Sequence, residues 1–110
     1  MKLMIPAEKN SMDEEMSLSF GRASGFILYD TDAGTDSFIE NPGKDNQGGA
    51  GIKAAQAVID SGAEVLLSPH CGTNAADVLK KTDIRVFSSR PGTVRGNVEL
   101  FLREELSRLF

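Results

Sequence analysis

The single histidine and the single cysteine of the chain stand side by side, as His70 and Cys71, in segment 68–74 (Ser-Pro-His-Cys-Gly-Thr-Asn). An imidazole nitrogen is a metal ligand of intermediate softness, and a thiolate is a soft ligand suited to copper, zinc or iron–sulfur chemistry. A structural zinc site needs about four protein ligands, so this pair alone does not make one. From these residues alone we favour a structural role, with Cys71 as a small buried apolar residue and His70 as a turn residue that makes a local hydrogen bond. The alternative is that the pair supplies soft ligands to a metal.

The residues that follow Cys71 predict a helix. Asn74 can cap a helix that runs through Ala75 to Leu79, and Asp77 then falls three residues on, at the acidic position of a capping box. The positive end of a helix dipole favours a thiolate over a thiol of ordinary pKa, about 8.5. We therefore expect Cys71 to have thiolate character.

A second candidate is the glycine-rich segment 47–53 (Gln-Gly-Gly-Ala-Gly-Ile-Lys), which leads into a helical pattern. Gly49, Gly51 and Ala54 match a bare G-x-G-x-x-A pattern, which cradles a phosphate on the amides of a helix N-terminus. A dinucleotide site requires this turn directly after the first parallel strand, whereas a hairpin and a polar loop intervene here. The segment predicts an anion site built on backbone amides, or glycines that allow close backbone packing, rather than a nucleotide site.

Other polar residues give weaker signals. Arg22 lies in a polar loop just before an apolar run, where it either binds an anion or remains solvated. Asp30, Asp32 and Asp36 surround the turn residues Asp-Ala-Gly at 32–34, so we expect them to act in the turn. The G-x-S-x-G motif that would place a nucleophilic serine is absent from the sequence.

The elements that position these residues alternate between apolar strands and helices. Strands are predicted at 2–5, 24–29, 35–40, 65–67 and 84–87. Helices are predicted from Ile52 to the stop at 61–62, from Asn74, and from 91–93 onward. This order predicts an α/β domain of three layers, α/β/α, around a mixed five-stranded sheet with an antiparallel hairpin. Ligands bind such sheets at the carboxyl ends of the parallel strands, where both candidate segments are expected.

Two apolar stripes predict which helix faces are buried. The first helix is expected to bury Ile52, Ala55, Gln56 and Ile59. The last helix is expected to bury one stripe made of Val94, Val98, Phe101, Leu102, Leu106 and Leu109.

The composition excludes several classes of function. The 110 residues are 40% hydrophobic and 25% charged, which is typical of one soluble domain spanning 1–110. Twelve basic against sixteen acidic residues give a net charge of −4, which argues against nucleic acid or an anionic membrane as partner. A lone cysteine cannot form an internal disulfide, and no apolar run approaches the roughly 20 residues of a membrane span. The expected compartment is the cytoplasm.

Taken together, the segments resemble the dinitrogenase iron–molybdenum cofactor family, small proteins and domains that carry or help insert nitrogenase cofactor precursors. The resemblance covers nearly the whole chain and is carried, after the opening strand, by segments 17–23 (Ser-Leu-Ser-Phe-Gly-Arg-Ala), 49–56, 62–67, 71–75 and 92–94. It implies a ribonuclease H-like fold. Ser19 stands where many members have His, Thr73 where Pro is common and Pro69 where Gly is common. The resemblance therefore directs attention to His70 and Cys71 as the soft-ligand site.

The resemblance implies a non-catalytic carrier related to nitrogen fixation, which binds an iron–sulfur, molybdenum–iron–sulfur or molybdenum–copper–sulfur cluster. His70 and Cys71 would be its metal ligands, and cluster donor and acceptor proteins its partners. Apart from these two ligands, the residues expected to contact the cluster are Ser19, Arg22, Gly48, Gly49, Gly51 and Asn74.

The role of two methionines and the function of the whole protein each remain open to another interpretation. Met12 and Met16, in an acidic loop, offer thioether ligands or pack as apolar residues, and we favour packing. Two alternatives to the carrier remain. One is a thiol-dependent enzyme that uses Cys71 activated by His70, and the other is an interaction module that has lost its cluster site.

Overall fold

A mixed sheet of five strands in the order β3-β2-β1-β4-β5 runs through the computed structural model, which describes residues 1–45 and 48–110. The residues at 46 and 47, including the Gln47 end of the glycine-rich segment, lie outside the described part. The strands are β1 (Lys2–Ala7), β2 (Gly25–Asp30), β3 (Thr35–Glu40), β4 (Val65–Ser68) and β5 (Arg85–Ser88). The helices are α1 (Ala50–Asp60), α2 (Thr73–Lys80) and α3 (Val94–Leu102). In the two described ranges, no helix combines the length and apolar character needed to cross a membrane.

The side chains of the central strands point alternately into two separate cores. Leu3 and Ile5 of β1 pack with Val94 and Val98, which places α3 on one face of the sheet. Met4, between them, packs on the other face. Its cluster there also contains α1 and α2 residues, namely Ala54, Ala55, Val58, Ala75 and Leu79. The three layers are therefore those predicted, with α3 on one side of the sheet and the other two helices opposite.

Strand direction divides the sheet into a parallel and an antiparallel part. β4 pairs parallel to both β1 and β5, whereas β2 pairs antiparallel to β1 and β3. Between β2 and β3, the Asp30 carboxylate accepts hydrogen bonds from the amides of Asp32 (2.9 Å) and Ala33 (3.2 Å). These bonds lower the pKa of Asp30. Gly34 closes the turn at a φ of 69°, a conformation that favours glycine.

The buried face of α1 differs from the predicted one. Ala54, Ala55 and Val58 are buried, while Ile52 is 42% exposed and Gln56 is exposed. The helix also begins at Ala50, earlier than predicted. The prediction is therefore wrong for Ile52 and Gln56, whereas Ala55 is buried as expected and Ile59 is half-buried against the same core. The face that packs on the sheet is centred on Ala54, Ala55 and Val58.

The start of α2 and the end of α3 also differ from expectation. α2 begins at Thr73 after Gly72, without a side-chain cap, so Asn74 lies inside the first turn and the predicted capping box with Asp77 is wrong. α3 begins as expected, with the Thr93 hydroxyl accepting from the Gly96 amide at 2.9 Å. It ends at Leu102, which is 55% exposed rather than buried.

The residues after α3, 103–110, form a C-terminal tail instead of further helix. Glu104 takes a φ of 61°, which turns the chain back. The tail then lies along the outer edge of β5, where the Ser88 amide donates to Ser107 O and the Leu109 amide to Val86 O, each at 2.8 Å. Leu106 is still buried, but as part of this tail.

The acidic segment 8–16 is anchored to the start of α3 rather than forming a free loop. The Met16 amide donates to Gly92 O at 3.0 Å, and the Val94 amide donates to Glu14 O at 3.0 Å. Met12 and Met16 are each 5% exposed and belong to the core on the α3 side. Both methionines are packing residues, so their thioether groups are not presented to a ligand.

The close contact between β2 and β3 leaves no room for a side chain at Gly25. A Cβ there would stand 2.5 Å from the carbonyl oxygen of Ile39 and would overlap the Phe38 ring. We expect Gly25→Ala to lower the free energy of unfolding by about 1–3 kcal/mol, measured by urea denaturation.

Gly48→Ala is the matched control, because a Cβ at Gly48 meets no atom of the described residues within 4 Å. We expect it to change the free energy of unfolding by less than about 0.5 kcal/mol. Equal midpoints for the two variants would contradict the packing described for β2 and β3.

Candidate functional site

Two helix N-termini meet at the carboxyl edge of the parallel strands. α2 begins just after β4, and α1 runs back toward the start of β4, so both helices begin at this edge. They border a cleft of about 240 Å³. The residues that line the cleft are Gly49, Gly51, Ile52, Gly72, Thr73, Asn74 and Ala75. The structure thus brings together three of the predicted contact residues, from two separate segments of the sequence.

The cleft presents backbone donors that receive no side-chain cap within residues 1–45 and 48–110. Gly49 and Gly72 precede α1 and α2, and neither helix receives a side-chain cap. Neither helix has an acidic residue in its first turn. First-turn amides without an internal acceptor carry the positive end of the helix dipole and bind anions. The arrangement therefore suits a negatively charged ligand.

Close backbone contacts join the cleft to the loop that contains Ser19 and Arg22. A Cβ at Gly21 would stand 3.2 Å from the Gly51 amide nitrogen, and a Cβ at Gly51 would stand 3.3 Å from the Cβ of Ala75. The predicted close-packing role is therefore confirmed for Gly51. Gly49 has a different reason to be glycine, because its φ is 73°. Gly48 is exposed, and a side chain there would meet no neighbour.

His70 and Cys71 lie in the turn between β4 and α2. The Ser68 hydroxyl, buried at the end of β4, donates to the His70 carbonyl oxygen at 3.0 Å and fixes this turn. His70 is exposed, whereas Cys71 is half-buried against the core formed with α1 and α2. Burial raises the pKa of the Cys71 thiol to about 11, more than a hydrogen bond with Ser68 lowers it. Burial of the thiol therefore argues against the expected thiolate in the free protein.

Ser19 and Arg22 lie in the same loop as Gly21. The Ser19 hydroxyl accepts from the Arg22 amide at 3.0 Å, and the Ser19 amide donates to the Ser17 hydroxyl at 3.2 Å. The Arg22 guanidinium is exposed and donates to Lys44 O at 3.4 Å. Leu18, between two anchored serines, is 77% exposed. The loop is therefore held in shape while Arg22 and Leu18 face solvent.

A buried asparagine that the sequence analysis did not single out holds this loop. Asn41 is 3% exposed, and its amide group donates to Gly21 O and Ala23 O, both at 3.0 Å. Its carbonyl oxygen accepts from the Gly43 amide at 2.9 Å. Both donor positions of the side-chain amide and one lone pair of its oxygen are used to shape backbone. Nothing in the sequence around Asn41 indicated this buried contact.

A second buried asparagine holds the segment after β5 in place through hydrogen bonds to its backbone. Asn97, on α3 and 1% exposed, accepts from the Arg90 amide at 2.8 Å. It donates to Arg90 O at 2.9 Å and to Thr93 O at 3.0 Å. Its position between Val94 and Val98, on the apolar stripe of the last helix, is the signal by which it could have been found.

The described residues contain no group of three or more His, Cys, Asp and Glu side chains that could hold a bare metal ion. The soft ligands that the described segments bring to this edge are the imidazole of His70 and the thiol of Cys71. One further polar atom lies nearby in the fold: Ser89, directly after β5, has a buried hydroxyl oxygen without a hydrogen-bond partner in the described part of the chain. Its amide donates to Ser68 O at 2.9 Å, next to the His70 turn.

These features define a small three-layer α/β protein in which two helix starts border a cleft beside the His70–Cys71 turn. The chain belongs to the dinitrogenase iron-molybdenum cofactor family, whose model matches residues 1–104. The predicted membership is therefore confirmed. No curated protein sequence matches the chain significantly.

Solved structures agree with this assignment. The apo form of the orange protein from Desulfovibrio gigas shares 32% sequence identity and a TM-score of 0.92, over 97% of this chain and 91% of that one. A NifB-like protein from Thermotoga, solved by NMR, shares 31% identity and a TM-score of 0.85, over 98% and 92% of the two chains. A dinitrogenase-like protein from Methanocaldococcus jannaschii shares the fold, with a TM-score of 0.73 at 16% identity over 97% and 92%.

The hydrogen bonds of Asn41 predict a large stability cost when they are removed. Asn41→Ala leaves two carbonyl groups and one amide without their partner, and we expect the free energy of unfolding to fall by about 3 kcal/mol. Asn74→Ala, at an exposed position of α2, is the matched control and should leave stability within about 0.5 kcal/mol. Chemical denaturation of both variants makes the comparison, and equal losses would contradict the role of Asn41.

The burial of Cys71 predicts slow alkylation in the folded protein. A thiol pKa raised from 9.0 to about 11 leaves about a hundredfold less thiolate at pH 8. We expect iodoacetamide to react with the native protein about a hundredfold more slowly than with the urea-unfolded chain, and the native rate to keep rising toward pH 11. Equal native and unfolded rates at pH 8 would show that the thiol is exposed and unperturbed.

Proposed function

We propose that this protein is a non-catalytic carrier that holds a metal–sulfur cluster at the carboxyl edge of its sheet. The observation that carries the proposal is the meeting of two uncapped helix N-termini in one cleft, directly beside the turn that holds His70 and Cys71. Backbone amides would bind the negative charge of the cluster, and the two side chains would supply metal ligands.

The ligand set fits a preassembled cluster better than a bare ion. A cluster brings its own sulfides, so one or two protein ligands are sufficient, and a carrier that must release its cargo has reason to use few. The described residues offer that number of soft ligands and lack a fuller set. The description of the family, dinitrogenase iron-molybdenum cofactor, supports a molybdenum-containing cluster.

Each predicted contact residue keeps a proposed part. Gly49, Gly51 and Asn74 border the cleft, and Gly48 adjoins it in the chain. Arg22, exposed at the neighbouring loop, would balance cluster charge. Ser19 would act by shaping that loop, because its hydroxyl already accepts from the Arg22 amide.

The remaining expectations complete the proposal. Residues 1–110 would act as one domain of ribonuclease H-like type in the cytoplasm, exchanging the cluster with donor and acceptor proteins. The thiol-dependent enzyme is the weaker alternative, because burial raises the pKa of Cys71 and leaves its nucleophilic form scarce at neutral pH.

Anaerobic titration of the purified protein with an iron–sulfur cluster and with tetrathiomolybdate, alone and with copper(I), tests the proposal. We expect charge-transfer absorption and bound metal to saturate together in the wild type. His70→Ala/Cys71→Ala should weaken binding by about tenfold to a hundredfold, because both soft ligands are lost. Asp77→Ala/Lys81→Ala, at two exposed positions of the same helix and its end, is the control that should bind like wild type.

The pattern of results separates the alternatives. Binding that is equal in the wild type and in the His70/Cys71 variant would move the site to Arg22 and the glycine amides, and Arg22→Gln should then weaken it. Failure of the wild type to bind any of these clusters would contradict the carrier and favour an interaction module.

A further inference from the structure

The outer edges of the two edge strands, β5 and β3, differ in what covers them. The outer edge of β5 is covered by the C-terminal tail through the bonds of Ser107 and Leu109. At the other end of the sheet, β3 pairs with β2 on one side, and no strand of the described ranges pairs with its other side. All six residues of β3 are paired with β2, so the strand is regular, and its sequence contains neither proline nor lysine. Its outer side is thus a straight row of backbone donors and acceptors of the kind that an added strand can use.

The side chains of β3 form a pattern of acidic and apolar groups. Asp36, Phe38 and Glu40 alternate along one face of the strand. Phe38 is half-buried against the core on the α3 side, and the two carboxylates on either side of it are exposed. Ile39, on the opposite face, is half-buried toward the core formed with α1 and α2.

A groove of about 530 Å³ lies beside this edge, between β3 and α1. Its apolar part is formed by Ile39, Pro42 and Ala57, and the polar residues Glu40, Lys53, Gln56, Asp60 and Ser61 complete the lining. An added strand would place alternate side chains over this groove, and the remaining side chains next to Phe38 and its two carboxylates. The apolar part of the groove therefore favours apolar residues, and the carboxylates of Asp36 and Glu40 favour basic ones.

A second copy of the chain does not meet these requirements. If two β3 strands paired antiparallel with Phe38 opposite Phe38, Asp36 of each strand would stand opposite Glu40 of the other. Like charges directly opposite each other destabilise a sheet. The charge pattern thus disfavours self-association at this edge and leaves it open to a strand of opposite charge.

We propose that the outer edge of β3 is a docking site for an extended segment of a partner protein, in which two basic residues flank three apolar residues. The partner's basic residues face Asp36 and Glu40, its central apolar residue lies beside Phe38, and the two residues between them enter the groove at Ile39. Backbone hydrogen bonds to β3 supply binding that does not depend on sequence, and the charges supply selectivity. The proposal does not depend on a bound cluster.

A synthetic peptide, acetyl-Ser-Lys-Ile-Val-Ile-Lys-Ser-amide, is the probe. We expect saturable binding to the full chain, observed by NMR as shifts of the β3 and Ile39 resonances. A peptide with Glu in place of both Lys should bind at least about tenfold more weakly. Methylation of alternate backbone nitrogens should abolish binding of the basic peptide, because the added strand then loses its donors.

Exchange of charge on the protein makes the matched test. Asp36→Lys/Glu40→Lys should invert the preference between the two peptides, whereas Asp77→Lys/Glu99→Lys, with the same change in net charge at exposed positions on α2 and α3, should keep the wild-type preference. Equal binding of both peptides to the wild type, shifts located away from β3, or a β3-mediated dimer of the free protein would overturn the proposal.

Discussion

The shape of the carboxyl edge depends on hydrogen bonds made by a few buried polar side chains. Ser17, Asn41, Ser68 and Asn97 are 0–4% exposed, and each one bonds to backbone in a segment that leaves or enters this edge. Such a group costs free energy when it is buried without partners, so the surrounding backbone has one favourable arrangement rather than several. Packing of the apolar cores holds the sheet and helices together, but these four side chains determine where the loops lie.

Close contacts at two glycines fix the position of the loop relative to the two helices. Gly21 lies against the Gly51 amide, and Gly51 lies against Ala75, so the loop, α1 and α2 meet without intervening side chains. Donors at the two helix starts are therefore held in position before any ligand arrives. Preorganised donors lose little conformational entropy on binding, which is the condition that the proposed anion site in this small cleft requires.

Much of the fold could be predicted from short apolar runs and turn residues. Segments 24–29 and 35–40, joined by an Asp/Gly turn, fall close to the observed β2 and β3. The buried face of α1 could not be predicted in this way, because alanine and glycine mark close approach rather than hydrophobic burial. The sequence also located the Cys71 turn correctly, yet it did not disclose how deeply the thiol is buried, which depends on the packing of two other helices. Asn41 was missed because its partners, Gly21 and Ala23, lie about 20 residues away in the chain.

The C-terminal tail has a consequence for aggregation of the folded protein. Its Ser107 and Leu109 backbone groups cover the outer edge of β5 through hydrogen bonds to Ser88 and Val86. Detachment of this short segment needs less free energy than unfolding of the whole domain, because only local contacts are broken. Each time the tail detaches, β5 carries an uncovered strand edge that can pair with the same edge of another molecule. A high protein concentration increases the chance that two such edges meet before the tails rebind.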